Sequence, residues 1–452
     1  MIDNITDIRT HERRKIMDIQ KMFLEADALE PECIRIRRDF HKYPEMAWTE
    51  FRTTAAIVKF LRERGIEVHA GWEIVNPEFA WSYPGKEEVA KQKERAVREG
   101  ADAEIIEEMG DYTGAIAVID SGKPGPVFGF RFDIDCNEVA ETDAPDPRPN
   151  RDGFASTHDG WMHACGHDGH ATMGMILASI LQEHKDELKG KVKIIFQPAE
   201  EGDKGAQSVV ESGVLKDVDA ICGMHIVPTK DPYPAIAGSW HGLYATTKFT
   251  AKFTGKSAHA GAAPEEGHSA VLAAAAAIMM MQGFLQDGRG SGRLNVGVIH
   301  GGTAKNVVPE SCMIEAETRG SDTDVEKRLY EAACRCIKTA AEAYGCEAEI
   351  TVKGYCPTGD GTIDFAKKIV EWTSIVPDLK GRKEVQPNTG GTDDFAYMMR
   401  YIQEQGKPAC YMNLFTKLSA GLHNSAYDMD ECCLKAGVKS CLAVLNGYLA
   451  EH

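Results

Sequence analysis

The chain has 452 residues, 43% of them hydrophobic and 27% charged, with 51 Lys and Arg against 69 Asp and Glu for a formal net charge of -18. At that length two domains are the ordinary outcome. So large an acidic excess opposes nucleic acid as a partner and gives no attraction to an acidic membrane surface, which leaves small-molecule chemistry.

Met1 to Lys21 is charged throughout and has no apolar stretch of the kind a signal peptide needs. The 13 cysteines are an odd, scattered set, which favours reduced thiols and a cytoplasmic protein. Helical periodicity runs over Asp27–Tyr43 and Ala47–Arg64, where Gly65 stops the second helix. The charged stretch Lys86 to Glu108 predicts an exposed helix. Strand-like runs follow at Gly114–Asp120, Val127–Asp133, Val192–Phe196, Ala220–Met224 and Ala409–Leu414, with helices at Asp168–His184 and Ala206–Glu211 between them. Short buried strands alternating with helices predict an α/β fold with a mostly parallel sheet.

From about Leu243 to Tyr355 the rhythm changes. Strand Tyr244–Phe253, helix Ser269–Leu285, strands Leu294–Ile299 and Cys312–Thr318, helix Asp324–Tyr344 and strand Glu347–Val352 follow in turn. This β-α-β-β-α-β order is the ferredoxin-like split unit. The expected division is a discontinuous domain of residues 1–242 and 356–452 that holds the chemistry, with 243–355 inserted into it. The longest apolar run, Ala270 to Met281, is 12 residues, short of the roughly 18 expected of a membrane helix.

Chemistry concentrates in Met162-His163-Ala164-Cys165-Gly166-His167-Asp168-Gly169-His170. A thiol, three imidazoles and a carboxylate, with glycines that let the backbone turn tightly, suit a borderline transition metal. Open parallel sheets build their sites beyond the carboxyl ends of strands. There the sequence offers Asp133 and Asp135, then Glu200-Glu201 after Val192–Phe196, His225 after Ala220–Met224, and His423-Asn424 after Ala409–Leu414. Adjacent residues of an extended segment point to opposite sides, so one carboxylate of the Glu200-Glu201 pair can bind metal while the other accepts a proton. Read alone, His225 and His423 are equally ordinary as buried, hydrogen-bonded histidines. Arg319 could simply pair with Glu315 and Glu317 on its own strand.

From about Ile34 onward the chain resembles the aminoacylase and carboxypeptidase type of di-metal amidohydrolases, in the branch of hippurate and auxin-conjugate hydrolases. The resemblance rests on Arg131-Phe132-Asp133-Ile134-Asp135, Met162 to His170, Phe196 to Gly202, Gly223-Met224-His225, Gly255 to Gly261, Asn306-Val307-Val308-Pro309, Glu317-Thr318-Arg319-Gly320 and His423-Asn424, in that order. It implies that Cys165, His167, Glu201, His225 and His423 bind two divalent metal ions in each protomer, with Glu200 as the general base. The thiol of Cys165 favours zinc, and the nitrogen and oxygen donors also suit manganese. Asp133 and Asp168 would orient ligands from behind, and His170 is left open. On the inserted lid and dimerisation domain, His259 would polarise the scissile carbonyl, commonly across a homodimer, while Asn306 and Arg319 would hold the substrate carboxylate.

The insertion Trp72 to Tyr112 and the segments Arg151 to Ser156 and Ala245 to Phe249 resemble a smaller group within the family, the p-aminobenzoyl-glutamate hydrolases built from A-type and homologous B-type subunits. Gly391-Thr392-Asp393-Asp394-Phe395 departs from the family's usual Ser-Glu-Asp type sequence. The resemblance thus implies hydrolysis of an N-acyl amino acid, p-aminobenzoyl-glutamate or a related folate fragment, by metal-bound hydroxide with Glu200 carrying the proton. The alternatives are hippurate, an N-acetyl amino acid, or a subunit inactive without a homologous partner.

Overall fold

A computed structural model describes residues 17–284 and 286–452 of the chain. The expectation for Met1 to Lys21 therefore lies mostly outside the described residues, as does Leu285.

The N-terminal part forms helices α1 (Ile19–Ala28), α2 (Glu30–Lys42) and α3 (Phe51–Arg62), strand β1 (Glu67–Ala70), helices α4 (Lys86–Arg98) and α5 (Ala103–Met109), and strands β2 (Ala115–Asp120) and β3 (Val127–Asp133). Then come α6 (Arg148–Asp152), α7 (His167–Glu183), β4 (Lys191–Gln197), α8 (Ala206–Glu211), β5 (Ala220–Pro228) and β6 (Ala235–His241). The middle segment supplies β7 (Ala245–Thr254), α9 (Ala270–Met281), β8 (Gly292–Gly301), β9 (Ser311–Gly320), α10 (Thr323–Ala343) and β10 (Glu347–Cys356). The chain closes with α11 (Ile363–Trp372), β11 (Gly381–Pro387), α12 (Phe395–Gln403), β12 (Ala409–Thr416) and α13 (Cys432–Glu451).

Eight strands form one sheet in the order β1-β2-β4-β3-β5-β12-β6-β11, and four form a second in the order β10-β7-β9-β8. At the centre of the large sheet β4, β3, β5 and β12 run parallel. Side chains alternate across it: Phe128, Phe130 and Phe132 pack toward α7 and α13, whereas Ile195, Ile221 and Tyr411 pack with residues of α8 and α12. Burial on both faces is why these strands read as continuous apolar runs. The small sheet is antiparallel, and α9 and α10 cover one of its faces around Phe249, Phe253, Ile314 and Ile337. On its other face Lys248 and Arg319 reach loops of the large sheet at Asp203 and Gly390.

Two expectations need correcting. The helix predicted from Asp27 is two helices that meet at Leu29, because Pro31 sits in the first turn of α2, where its missing N–H costs nothing. The stretch Lys86 to Glu108 is also two helices, and Val89, Gln92 and Ala96 of α4 are buried rather than exposed. Gly114 to Asp120 is a strand, but it runs antiparallel to β4. Among the described residues no helix is long and apolar enough to cross a membrane.

Candidate metal centre

The carboxyl ends of β3, β4 and β5, the N-terminus of α7 and the loop after β12 converge on one cluster, buried at Cys165, His167 and His225 and open to solvent at His423. Gly166, in the left-handed region at φ 95°, makes the turn into α7. A Cβ there would lie 2.8 Å from the Tyr427 hydroxyl, so the turn between Cys165 and His167 has no room for a side chain.

The donor atoms fall into two triads that share one residue. Cys165, His167 and His225 form the first, and Cys165, Glu201 and His423 the second, each with ligand atoms within 4.8 Å of one another. Glu200 lies beside them, grouped with His167 and Glu201 on one side and with Asp393 and Asp394 on the other. The five expected ligands and the expected base are thus brought together.

Hydrogen bonding fixes which imidazole nitrogen faces the cluster. His167 Nδ1 donates to the backbone oxygen of Asp135 at 2.9 Å, and His225 Nδ1 donates to that of Ile226 at 2.7 Å. A carbonyl can only accept, so in each ring Nε2 keeps its lone pair for a ligand. His170 is different: its Nε2 accepts the Ile226 N–H at 2.9 Å and its Nδ1 donates to Asp133 at 2.6 Å. Both its nitrogens are spent, which makes it a support for Asp133 and the β5 backbone.

The residues present fit a pair of cations. His167 Nε2 is buried without a hydrogen-bond partner, which costs ~1–3 kcal/mol when nothing binds there, and Glu201 Oε1 faces only His423 Nε2, at 3.5 Å. Hydrogen bonding to Cys165 and then Glu201 pushes the His423 imidazole up to about 10. Burial opposes a low Glu201 pKa, but His423 and His167 still hold it well below the usual carboxylate range. The two shifts reflect one contact, in which the Glu201 carboxylate and the imidazoles beside it favour each other's charged forms. His423 has φ 58°, strain of the kind that functional positions retain, and its N–H donates to Ala164 O at 2.8 Å.

Glu200 is held otherwise. Burial, then Asp393 and Glu201, push its carboxyl well above the usual range, which suits a group that must take up a proton. Beneath it lies a buried network. Arg131 Nη1 donates to Asp133 at 2.6 Å and Nε to Gln197 at 2.7 Å, while its Nη2 lies 3.3 Å from both Asp393 and Asp394. Asp394 in turn accepts the backbone N–H groups of Gly205 and Ala206. The Asp393-Asp394 pair noted as a departure in sequence therefore anchors the loop that carries Glu200 and Glu201.

Asp133 accepts from His170 and Arg131 and lies 3.7 Å from His167 Nε2, on the cluster side of that ring rather than behind it. The Asp168 carboxylate turns toward α2, where it meets Arg37 Nε at 2.8 Å and His41 Nδ1 at 2.9 Å. Asp135 carries more than the sequence suggested: its backbone orients His167 and its carboxylate accepts the Glu201 N–H at 2.8 Å. The signal was present, since Asp135 lies two residues beyond Asp133 and so on the same side of an extended chain.

On the small sheet, the loops of His259 and Asn306 are joined: the Ala260 N–H donates to Asn306 O, and His259 bridges to Val307. Both residues are exposed, and among the described residues neither is hydrogen-bonded to the five candidate ligands. Arg319 lies apart from the cluster, paired in bidentate fashion with Glu317 at 3.0 Å and donating to Gly390 O at 2.9 Å. An ion pair of the half-buried Lys248 on β7 with the buried Asp203 ties the small sheet to the Glu200-Glu201 loop. Gly354 on β10 packs so closely there that a Cβ would come within 2.0 Å of Gly202 O.

Comparison with known proteins agrees with this picture. Residues 129–447 match the sequence profile of Peptidase family M20/M25/M40. The chain is 38% identical over 416 residues to the A-type subunit of p-aminobenzoyl-glutamate hydrolase from Escherichia coli (strain K12), covering 92% of this chain and 95% of that protein. A crystal structure of an aminobenzoyl-glutamate utilization protein from Klebsiella pneumoniae superposes with TM-score 0.82 at 30% identity, covering 96% of this chain and all of that one. A dinuclear metal-binding peptidase of the M20 family from Bacillus subtilis superposes with TM-score 0.65 at 26% identity, covering 94% of this chain and 99% of its own.

Proposed function

The chain belongs to Peptidase family M20/M25/M40 and is a metal-dependent hydrolase of N-acyl amino acids, and from that premise we propose that its substrate is p-aminobenzoyl-glutamate or a closely related acyl-glutamate. The single observation that carries the chemistry is the pair of donor triads sharing Cys165, with the proton-seeking Glu200 beside them. The Escherichia coli relative, which matches most of the chain's length, supports that substrate.

Cys165, His167 and His225 would hold one divalent ion, and Cys165, Glu201 and His423 the other, either zinc or manganese. Bound ions supply Lewis acidity and bring the pKa of water toward neutrality. The chain's own residues do the rest. Asp135 and Ile226 keep the Nε2 atoms of His167 and His225 directed at the cluster. Glu200 takes the proton from the attacking water on a carboxylate oxygen and returns it to the departing amine. Asp133 steadies His170 and Arg131, and Asp168 fixes the start of α7 against α2. Arg319 and Asn306 hold the substrate carboxylate, and His259 polarises the scissile carbonyl.

Residues 1–242 and 356–452 would act as the catalytic domain and 243–355 as a lid and dimerisation domain. Homodimerisation has support in β8, an edge strand of the small sheet. Further support comes from Leu272, Met279 and Met280 on α9, which expose 54%, 76% and 39% of their surface. The Escherichia coli relative is named as an A-type subunit, which favours a second reading in which a homologous B-type subunit completes the assembly. A cytoplasmic setting is in keeping with the 13 cysteines, none of them in a disulfide.

Kinetics on p-aminobenzoyl-glutamate, hippurate and N-acetyl amino acids, with and without a co-expressed homologous partner, test the reading. Preference for the acyl-glutamate supports it, and equal or better turnover of hippurate overturns it.

A further inference from the structure

The open face of the small sheet carries a second cation beside Arg319. In the antiparallel pair of β8 and β9, Arg293 stands directly opposite Arg319, and Asn295 opposite Glu317. Like charges in direct cross-strand register destabilise a sheet. Here only one of the two is neutralised locally: Arg319 has Glu317, whereas among the described residues Arg293 forms no ion pair with a carboxylate. Its Nη2 donates to the backbone oxygen of Thr389 at 2.8 Å, and its guanidinium lies 5.3 Å from the centre of the Tyr244 ring.

The surroundings are shaped around that arginine. Gly390, at φ 126°, would place a Cβ 2.1 Å from Arg293 Nη1, so the guanidinium occupies the space a side chain would need. Arg293, Asn295, Glu317 and Arg319 line a cleft of about 330 Å³. The same face meets the large sheet through Arg319 at Gly390 and Lys248 at Asp203, and Gly390 lies only three residues before Asp393. An uncompensated cation thus fronts a cleft that abuts Thr389 and Gly390, the segment leading to Asp393, in a chain whose net charge is -18.

We infer that Arg293 binds the side-chain carboxylate of the substrate's amino acid, so that Arg319 and Arg293 together select N-acyl derivatives of dicarboxylic amino acids. The inference rests on the acyl-glutamate reading above and names the residue that enforces it. One dianion would quench the unfavourable Arg293–Arg319 register, with the α-carboxylate on one guanidinium and the side-chain carboxylate on the other. Amino acids with a neutral side chain leave Arg293 unpaired.

The test compares N-benzoyl-L-glutamate with its near-isostere N-benzoyl-L-glutamine on purified full-length enzyme and its Arg293→Gln and Arg293→Lys variants. The wild type should favour glutamate. Arg293→Gln should cut kcat/KM for glutamate about 10- to 100-fold, chiefly through KM, and collapse the glutamate-to-glutamine ratio, with Arg293→Lys recovering part of it. An unchanged ratio in Arg293→Gln, or a wild type that favours glutamine, overturns the assignment. Calorimetric binding of glutarate against butyrate to the same proteins reads the subsite without turnover. If no acyl-amino acid is cleaved, the acyl-glutamate reading falls. Selective loss of glutarate binding in Arg293→Gln would then still uphold the dicarboxylate subsite, and equal binding would overturn it.

Discussion

Glu50 Oε1 accepts the backbone N–H of Ala199 at 2.7 Å, one residue ahead of Glu200. Glu50 is fully buried at the start of α3, and its Oε2 takes the Thr113 hydroxyl at 2.5 Å. Ala199 itself has φ 55°, a conformation a non-glycine residue keeps only when its surroundings impose it. Glu50→Ala should therefore cost about 1–3 kcal/mol of stability by leaving the Ala199 N–H unpaired. A kcat loss of roughly tenfold or more should accompany it as Glu200 loses its placement. Denaturant titration and kinetics check both. A stable variant with full kcat would show that Glu50 does not hold the loop.

Glu200→Gln keeps the shape of the side chain and removes its ability to take a proton. It should lower kcat by roughly 10²- to 10⁴-fold while leaving metal content unchanged. Elemental analysis beside steady-state kinetics separates this from loss of a ligand. Near-normal turnover would move the base elsewhere.

Because Cys165 belongs to both donor triads, Cys165→Ala should depress the affinity of both metal positions, whereas His225→Ala should depress one. Chelation should abolish activity and lower Tm, because ligands that bind only the folded state stabilise it. Metal stoichiometry by mass spectrometry of the dialysed variants decides the point. Equal loss in the two variants would argue against a shared thiolate.

His184 provides a pH probe remote from the cluster. Its Nδ1 lies 2.8 Å from Glu187 and its Nε2 3.0 Å from Glu25. Burial lowers the imidazole pKa, but Glu187 and then Glu25 raise it overall above its ordinary 6.5. Hydrogen bonding to His184 holds Glu187 below its ordinary 4.5. A raised histidine stabilises the fold fully below 6.5 and loses that contribution as pH rises through the higher folded value. The lowered carboxylate contributes above 4.5 and loses its share as pH falls. The pair is thus worth most between those limits. His184→Gln should destabilise by ~0.5–1 kcal/mol near pH 6 and by less near pH 9. Urea titrations at both values test this, and a pH-independent difference would refute it.

Met279→Asp, on the exposed face of α9, should shift the protein toward monomer and cost most of its activity if His259 acts across the boundary between protomers. Sedimentation velocity with parallel assays measures both. A fully active monomer would contradict the proposed role of His259.

Much of this was legible beforehand for a physical reason. Cys165 and His167 flank a glycine that a tight turn demands, and Glu200, His225 and His423 follow strands whose apolar runs announce themselves. The edges were harder to see. In β11, Gly381 to Pro387, the charged residues Arg382, Lys383 and Glu384 stand in a row on a strand with no buried position, and β1 is four residues long. The Arg131 network was invisible because Gln197, Asp393 and Asp394 are distant from Arg131 in sequence, and buried charges look like surface charges until the fold pairs them. Asp168 shows the same limit: proximity to His167 in the chain did not reveal that its carboxylate faces Arg37.

The strut formed by Lys248 with Asp203, and by Gly354 against Gly202, gives the enzyme a built-in ruler. It joins the sheet that carries the arginine row to the loop that carries Glu200, so the span from the proposed anion-binding surface to the proposed proton carrier is set by the fold. On the proposed assignment, a bond is measured by how far it lies from a terminal carboxylate. An amide between two interior residues of a longer peptide presents no charge at that distance, and it would pass through the cleft uncut.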